Sequence, residues 1–354
     1  MDLARQKPNA LDPDLVNQKD VPHEYAPSQV QQAPYLLAMI RKFSFACFFL
    51  LAGSILHGQT NEARVLVIGI DGLRSDCLEA ANTPALDGLI ADGVYSPDAL
   101  NNDITYSGPG WSGMICGVWS DKHGVTGNNF VGSDFEAYPS FMRRLELANS
   151  DLNTFSICHW TPINDYILGE DVDEGINVST DAAVRDGAVS IFENGDPHAM
   201  FLHFDDVDIN GHGYGFNANV SEYMNAIEAT DQFISDILVA LTSRPNYANE
   251  NWLTLVSTDH GGIGFNHGGT SIQEETIFFI ASGNAVSNNV FVKDTLESCP
   301  LLKIASLLMP QNCNLVATAT LWSLKITRRS NSARIKTSPS KFGFEPKPRQ
   351  MWPF

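Results

Sequence analysis

No Cys-x-x-Cys pair occurs among the six cysteines of this 354-residue chain, which sets aside zinc ribbons and thioredoxin-type redox motifs. Positive charge is scarce. The 22 Lys and Arg stand against 41 Asp and Glu, and the resulting −19 argues against duplex nucleic acid or an anionic membrane surface as partner. The scarcity is uneven, because from Val316 onward eight Lys or Arg face the single Glu345. No comfortable membrane span is present either: the apolar run from Phe43 to Leu56 is about fourteen residues, too short for a bilayer and the right length for a signal-peptide core. No internal repeat is evident, so repeat architectures are set aside.

What remains is a chain that is 44% hydrophobic, enough for one large α/β domain or two modest ones. Residues 1–38 are polar, proline-bearing and without period, and read as a disordered or wrongly included extension. Met39-Ile-Arg-Lys opens a signal peptide over 39–58, with small residues near Ser54 and Gly58 for cleavage and a mature start near Gln59. An uncleaved anchor is the alternative. Either way the body, 59–315, is expected outside the cytoplasm, secreted or periplasmic. Cys47 falls in the leader. The other five, Cys77, Cys116, Cys158, Cys299 and Cys313, leave at least one thiol unpaired; Cys299 and Cys313 could pair, and buried free cysteine is the default reading. Residues 316–354 form a basic, irregular tail, and Leu296 to Met309 could be one more packing helix.

Val65 to Gly72 reads as a buried parallel strand ending on Asp71, where open α/β sheets bind ligands. Thr83-Pro84 supplies an N-cap and first-turn proline for a helix to Asp92. A loop rich in Asn, Asp and Gly then leads to Ser107, which opens a turn feeding a short helix. Helices are expected at Pro139–Ala148, Asp181–Phe192 and Val220–Leu241, and strands at Thr154–Ile157, Ala199–Asp205, Trp252–Thr258 and Thr276–Ala281. The alternation implies right-handed crossovers and a mainly parallel sheet covered on both faces.

Three clusters follow strands: Asp71; Asp205-Asp206-Val207-Asp208 with His212; and Thr258-Asp259-His260, with His267 close behind. Carboxylates and imidazoles at one sheet edge make the mixed oxygen and nitrogen set that zinc accepts, and their number exceeds the needs of one four-coordinate ion. Two metals around a shared substrate are expected.

The pattern resembles the alkaline phosphatase superfamily, and within it the type I phosphodiesterase/nucleotide pyrophosphatase branch. The likeness runs from Arg64 to Gly283. Its anchors are Ile70 to Asp76, Ser107-Gly108-Pro109 running to Cys116-Gly117, Lys122-His123-Gly124-Val125, Asp208 with His212-Gly213, and Thr258 to Gly262. The resemblance implies an alkaline-phosphatase-like three-layer α/β sandwich holding two Zn2+, with Mn2+ or Mg2+ as alternatives. Asp71, Asp259 and His260 would hold one ion with the Ser107 hydroxyl, and Asp208, His212 and His267 the other. In much of the branch the last histidine lies far downstream, whereas here none follows His267. Ser107 would be the nucleophile, forming a phosphoseryl intermediate, with Thr105 and Ser112 in reserve; amides of the following helix would bind phosphoryl oxygens.

Two departures bear on substrate class. Gly110 stands where the resemblance implies an asparagine donor. Trp111 stands where sulfatases carry arginine, and Gly72 where they carry a second acidic residue after Asp71; both point away from a one-calcium sulfatase. Among other residues, His123 reads as support for the nucleophile loop and His203 as a satisfied core histidine. Arg74 and Lys122 read as surface ion pairs rather than phosphate contacts, and His159 as packing or pocket lining. Trp111 reads as core, with stacking on an aromatic leaving group as the alternative. The expected function is hydrolysis of small phosphodiesters or pyrophosphates, or of monoesters. The rivals are a phosphonate-ester hydrolase, a phosphoryl transferase, and an inactive binding homologue. No membrane contact beyond the leader is expected, and the oligomeric state is left open.

Overall fold

The computed structural model describes residues 62–284, 286 and 290–291. The extension, the leader, the Leu296–Met309 helix, the Cys299–Cys313 pair and the basic tail all lie outside the described residues. None of the described helices is long and apolar enough to cross a membrane.

An eight-stranded sheet is built from β1 (Glu62–Ile70), β2 (Gly93–Leu100), β3 (Thr154–Cys158), β4 (Glu174–Asn177), β5 (Ala199–Phe204), β6 (Glu250–Ser257), β7 (Thr276–Gly283) and β8 (Val290–Phe291), in the order β4-β3-β5-β1-β6-β7-β2-β8. Only β7 runs against the rest, pairing antiparallel with β6 and β2, so the sheet is mainly parallel as expected. β1 sits between β5 and β6, with Ile70 opposite Phe204 and Gly69 opposite Ser257. That register brings Asp71, the residues after Phe204 and those after Ser257 to one edge.

Strand alternation sorts the core into two layers. Val65 and Val67 join one cluster, with Phe201, Leu253 and Leu255; Leu66, Ile68 and Ile70 join the other, with Leu202, Phe204 and Val256. The first layer is closed by α3 (Ser107–Cys116), α5 (Phe141–Ala148) and a π-helical turn at Ile163–Leu168. The second is closed by α1 (Ser75–Ala80), α2 (Pro84–Ala91), α6 (Asp181–Asn194) and α8 (Ser221–Thr242). This is the three-layer sandwich expected, each fully buried branched or aromatic side chain contributing about 1.5–3 kcal/mol. The short helices α4 (Ser120–His123), α7 (Asp206–Tyr214) and α9 (Ile272–Glu275) lie in the connections.

The structure departs from the sequence reading in several places; the short elements α1, α4, α9 and β4 and the turn at Ile163–Leu168 were not expected. β2 occupies the start of the stretch read as loop, and its register against β7 shifts between Ser96 and Ala99, at Pro97. α7 was not foreseen at all. Thr83 precedes α2 but its hydroxyl makes no cap; the Asp231 carboxylate of α8 accepts from the Ala85 and Leu86 amides instead, at 3.1 and 2.8 Å. Cys77, Cys116 and Cys158 are free and buried.

Candidate metal centre

Asp71 follows β1 directly, its amide donating to Phe204 O at 2.9 Å. Tyr223 of α8 holds the next turn, its hydroxyl donating to Gly72 O at 2.6 Å and accepting from the Arg74 amide at 3.0 Å. The loop after β6 is fixed to that turn. Thr258 Oγ1 accepts from the Leu73 amide, Asp259 Oδ1 from the Gly72 amide, and Asn101 Nδ2 donates to Asp259 O. At the loop's far end a capping box between Ser271 and Glu274 starts α9. In α7, Asp208 and His212 lie one turn apart on one face, Nε2 of the histidine 3.3 Å from Oδ2 of the aspartate.

All seven residues expected from the sequence come together. Nε2 of His260 lies 3.5 Å from Asp71 Oδ1, 3.3 Å from Asp259 Oδ2 and 3.4 Å from Ser107 Oγ. Asp208, His212 and His267 each bring a ligand atom within 4.8 Å of the other two. Asp71, Asp208 and His260 do the same, so Asp208 borders both groups. The His260 and His267 rings stack at 3.7 Å between centroids.

Two features test whether these residues suit metal ions. Asp71 Oδ1, Asp208 Oδ1 and Asp259 Oδ2 are buried without any hydrogen-bond partner. Each histidine gives Nδ1 to a backbone carbonyl: His212 to Phe265 O at 2.8 Å, His260 to Gly261 O at 2.8 Å and His267 to Thr105 O at 2.7 Å. A ring whose Nδ1 donates carries its lone pair on Nε2, the atom that faces the carboxylates. Three unpartnered carboxylate oxygens in a cluster with three Nε2 lone pairs fit divalent cations.

The electrostatics agree. Burial, then the charges of Asp71 and Asp205, push the Asp208 carboxyl up to about 9. Burial and the charges of Asp71 and Asp208 hold Asp259 well above the carboxylate range. Burial, then His267, press His260 down to about 3, and burial lowers His267, so both imidazoles are neutral. Asp71 is the exception: burial would raise it, but the hydrogen bonds it accepts from His203 and Trp111 hold it low, at about 2.

Ser107 begins α3, with the residue 6% exposed. The reserve candidates are otherwise engaged or placed: Thr105 Oγ1 donates to Gly269 O and accepts from the Gly268 amide, while Ser112 is fully buried one turn further on. The expected fan of helix amides is reduced. Pro109 has none, the Gly110 amide closes on Tyr106 O, and the Gly108 amide donates to Asn128 Oδ1 at 2.8 Å. Asn128, which the sequence reading passed over, thus stands beside Ser107 with its NH2 group free to donate. Gly110 could not carry the asparagine side chain, since a Cβ there would lie 2.9 Å from Asp259 Cβ.

Other singled-out residues resolve as follows. Arg74 is spent on Asp76, Phe216 O and Gly262 O. His123 is buried, its Nδ1 accepting from the Val125 amide within its turn. His159 pairs with Asp181 at 2.9 Å, whose carboxylate also accepts the Asp205 and Asp206 amides at the start of α7. Trp111 is fully buried, which excludes stacking on a leaving group.

Residues 65–170 match the family model of type I phosphodiesterase/nucleotide pyrophosphatase. Over 254 residues the chain is 25% identical to an uncharacterized pyrophosphatase/phosphodiesterase of Schizosaccharomyces pombe, covering 64% of this chain and 51% of that one. It is 24% identical over 220 residues to the human bis(5'-adenosyl)-triphosphatase ENPP4, covering 56% and 47%. The chain thus spans about half the length of the curated relatives it matches. Among solved structures, murine ectonucleotide pyrophosphatase/phosphodiesterase 5, an inactive form in complex with AMP, gives a TM-score of 0.57 at 14% identity over 70% of this chain and 95% of that one. A 2-O GAG sulfatase gives 0.58 at 14% identity over 72% and 71%. At such identities the likeness establishes the fold, an alkaline-phosphatase-like sandwich.

Proposed function

From its place in the type I phosphodiesterase/nucleotide pyrophosphatase branch of the alkaline phosphatase superfamily, we propose that the chain is a two-metal phosphoesterase. Its substrates are small phosphodiesters or pyrophosphates, cleaved through a phosphoseryl intermediate on Ser107. The observation that carries the reading is the set of three buried, unpartnered carboxylate oxygens on Asp71, Asp208 and Asp259, facing Nε2 of His260 and His267, with Nε2 of His212 on the second oxygen of Asp208.

Asp71, Asp259 and His260, with the Ser107 hydroxyl, would hold one ion; Asp208, His212 and His267 would hold the other. Zinc suits this oxygen and nitrogen set, with manganese or magnesium as alternatives. When bound, the ions lower the pKa of the serine hydroxyl and offset charge on the phosphoryl oxygens. The chain supplies the rest. Ser107 stands at the N-terminus of the ten-residue α3, whose dipole favours a negative oxygen there. Asn128, fixed by the Gly108 amide, offers its NH2 group to a phosphoryl oxygen above Ser107, the donor that Gly110 cannot supply. In-line attack joins Ser107 Oγ to phosphorus and expels the ester or phosphate oxygen of the leaving group; water then cleaves the phosphoseryl bond.

The names of the relatives support nucleotide-type substrates, and the leader read from the sequence supports action outside the cytoplasm. A panel of nitrophenyl monoester, diester, phosphonate and sulfate, offered to zinc-restored protein, tests the reading. Turnover of the diester above the others is expected. Sulfate turnover, or none with any phosphorus ester, would overturn it.

A further inference from the structure

Asp71 is held from an unexpected side. Trp111 Nε1 and His203 Nε2 both donate to Asp71 Oδ2, at 2.8 and 3.1 Å, while Oδ1 has no partner. His203 Nδ1 accepts from the Trp160 amide at 3.3 Å, which leaves the ring proton on Nε2 and makes that atom the donor. Indole N–H can only donate. The two rings stand nearly perpendicular with centroids 4.8 Å apart, so each limits the other's movement. Trp111 reaches Asp71 by lying across β1 at Gly69, where a Cβ would fall 2.4 Å from the indole ring. The glycine next to the end of that strand therefore belongs to the same arrangement.

We propose that Trp111 and His203 are positioning residues that clamp Asp71 Oδ2, leave Oδ1 as its single metal-facing oxygen, and so select a small four-coordinate transition-metal ion over calcium. The inference rests on the reading of Asp71 as a ligand. A carboxylate oxygen has about two lone-pair sites, and two donors fill them. Asp71 is thereby restricted to one-oxygen coordination, which suits zinc. Calcium takes 6–8 oxygens and commonly draws both from a carboxylate. Gly72 removes a further oxygen from the same neighbourhood, since no side chain is present where an acidic residue would add one.

The rival role for His203 is direct ligation, because Asp71, His203 and Asp205 also bring ligand atoms within 4.8 Å of one another. The test therefore uses the full chain stripped of metal, as wild type, W111F, H203L and H203Q. Zinc alone and calcium alone are titrated by calorimetry, with circular dichroism and melting temperature as the check on folding. W111F and H203L are expected to weaken one of the two zinc-binding steps about 10–100-fold and to narrow the zinc-over-calcium preference by at least about tenfold. H203Q, whose amide can still donate to Oδ2, is expected to recover most of the loss. Wild-type zinc affinity and preference in a folded W111F would overturn the clamp; if W111F fails to fold, the same result in H203L overturns it. Loss of a whole zinc equivalent in both His203 variants would make His203 a ligand and overturn it too. A wild type that binds no zinc would overturn the proposed function along with the clamp, whereas unchanged variants overturn the clamp alone.

Discussion

Gly72 lies against Asp208: a Cβ on residue 72 would stand 2.5 Å from Asp208 Oδ1, one of the unpartnered oxygens. Its φ of +65° adds a backbone conformation that side chains disfavour. Gly72→Ala is therefore expected to push Asp208 out of both ligand groups and to destabilise the fold by roughly 1 kcal/mol or more. Metal analysis of the purified variant should fall from two zinc per chain towards one or none. Full zinc content would show that Asp208 is not where the ions sit.

Ser107→Ala is expected to abolish turnover while leaving metal content close to two per chain, because Asp71, Asp259 and His260 remain. Asn128→Ala should leave both metal content and Ser107 in place and cut kcat by about 10²–10³, the usual cost of removing one donor to a developing oxyanion. Steady-state kinetics on a nitrophenyl diester separates the two. Survival of activity in Ser107→Ala would end the covalent mechanism.

His267 decides whether the second ion has a complete set. Its Nε2 lies 3.7 Å from Asp208 Oδ1 and its Nδ1 is anchored on Thr105 O. His267→Ala is expected to remove one ion and keep the other, with the ratio of zinc to protein falling from about two to about one. His212→Ala should behave alike. Unchanged stoichiometry in both would place the second ion elsewhere.

The cluster of candidate residues was legible because its chemistry is local: strands that end in carboxylates or imidazoles announce themselves, and Asp208 stands four residues before His212. The helix beneath them was not legible. Asp, Asn and Gly in Asp206–Tyr214 are poor helix formers, and the segment is set by Asp181, which accepts the amides at its start from another element. β2 was hidden by Pro97 and Asp98, whose cost the β7 pairing absorbs through a register shift. Asn128 meets Gly108 across 20 positions, and Trp111 and His203 meet Asp71 across 40 and 132. In the linear chain such residues read as loop and core, because their roles exist only after the sheet brings them to one edge.

Acid should reveal a second electrostatic centre, at the opposite ends of the strands. Glu250 opens β6, buried between Arg244 and Arg64, and accepts from Arg244 Nη2 at 2.9 Å and from Trp252 Nε1 at 2.7 Å. Burial would raise its carboxyl, but the Arg244 and Trp252 hydrogen bonds and the two guanidinium charges bring it below the ordinary 4.5. Burial would raise Asp196 as well, and the Arg64 hydrogen bond and charge lower it. A carboxyl depressed in the folded state binds its proton more readily unfolded. The stability it contributes is therefore complete above the unfolded value and lost as pH falls through the folded one. Glu250→Gln is expected to cost about 1.5–3 kcal/mol near neutrality, since it removes a charged hydrogen-bond acceptor from Arg244 while Asp196 and Glu62 remain as counter-charges. Urea unfolding of wild type and variant should converge as pH drops below the carboxylate range. A gap that stays constant down to that range would assign the loss to packing and not to charge.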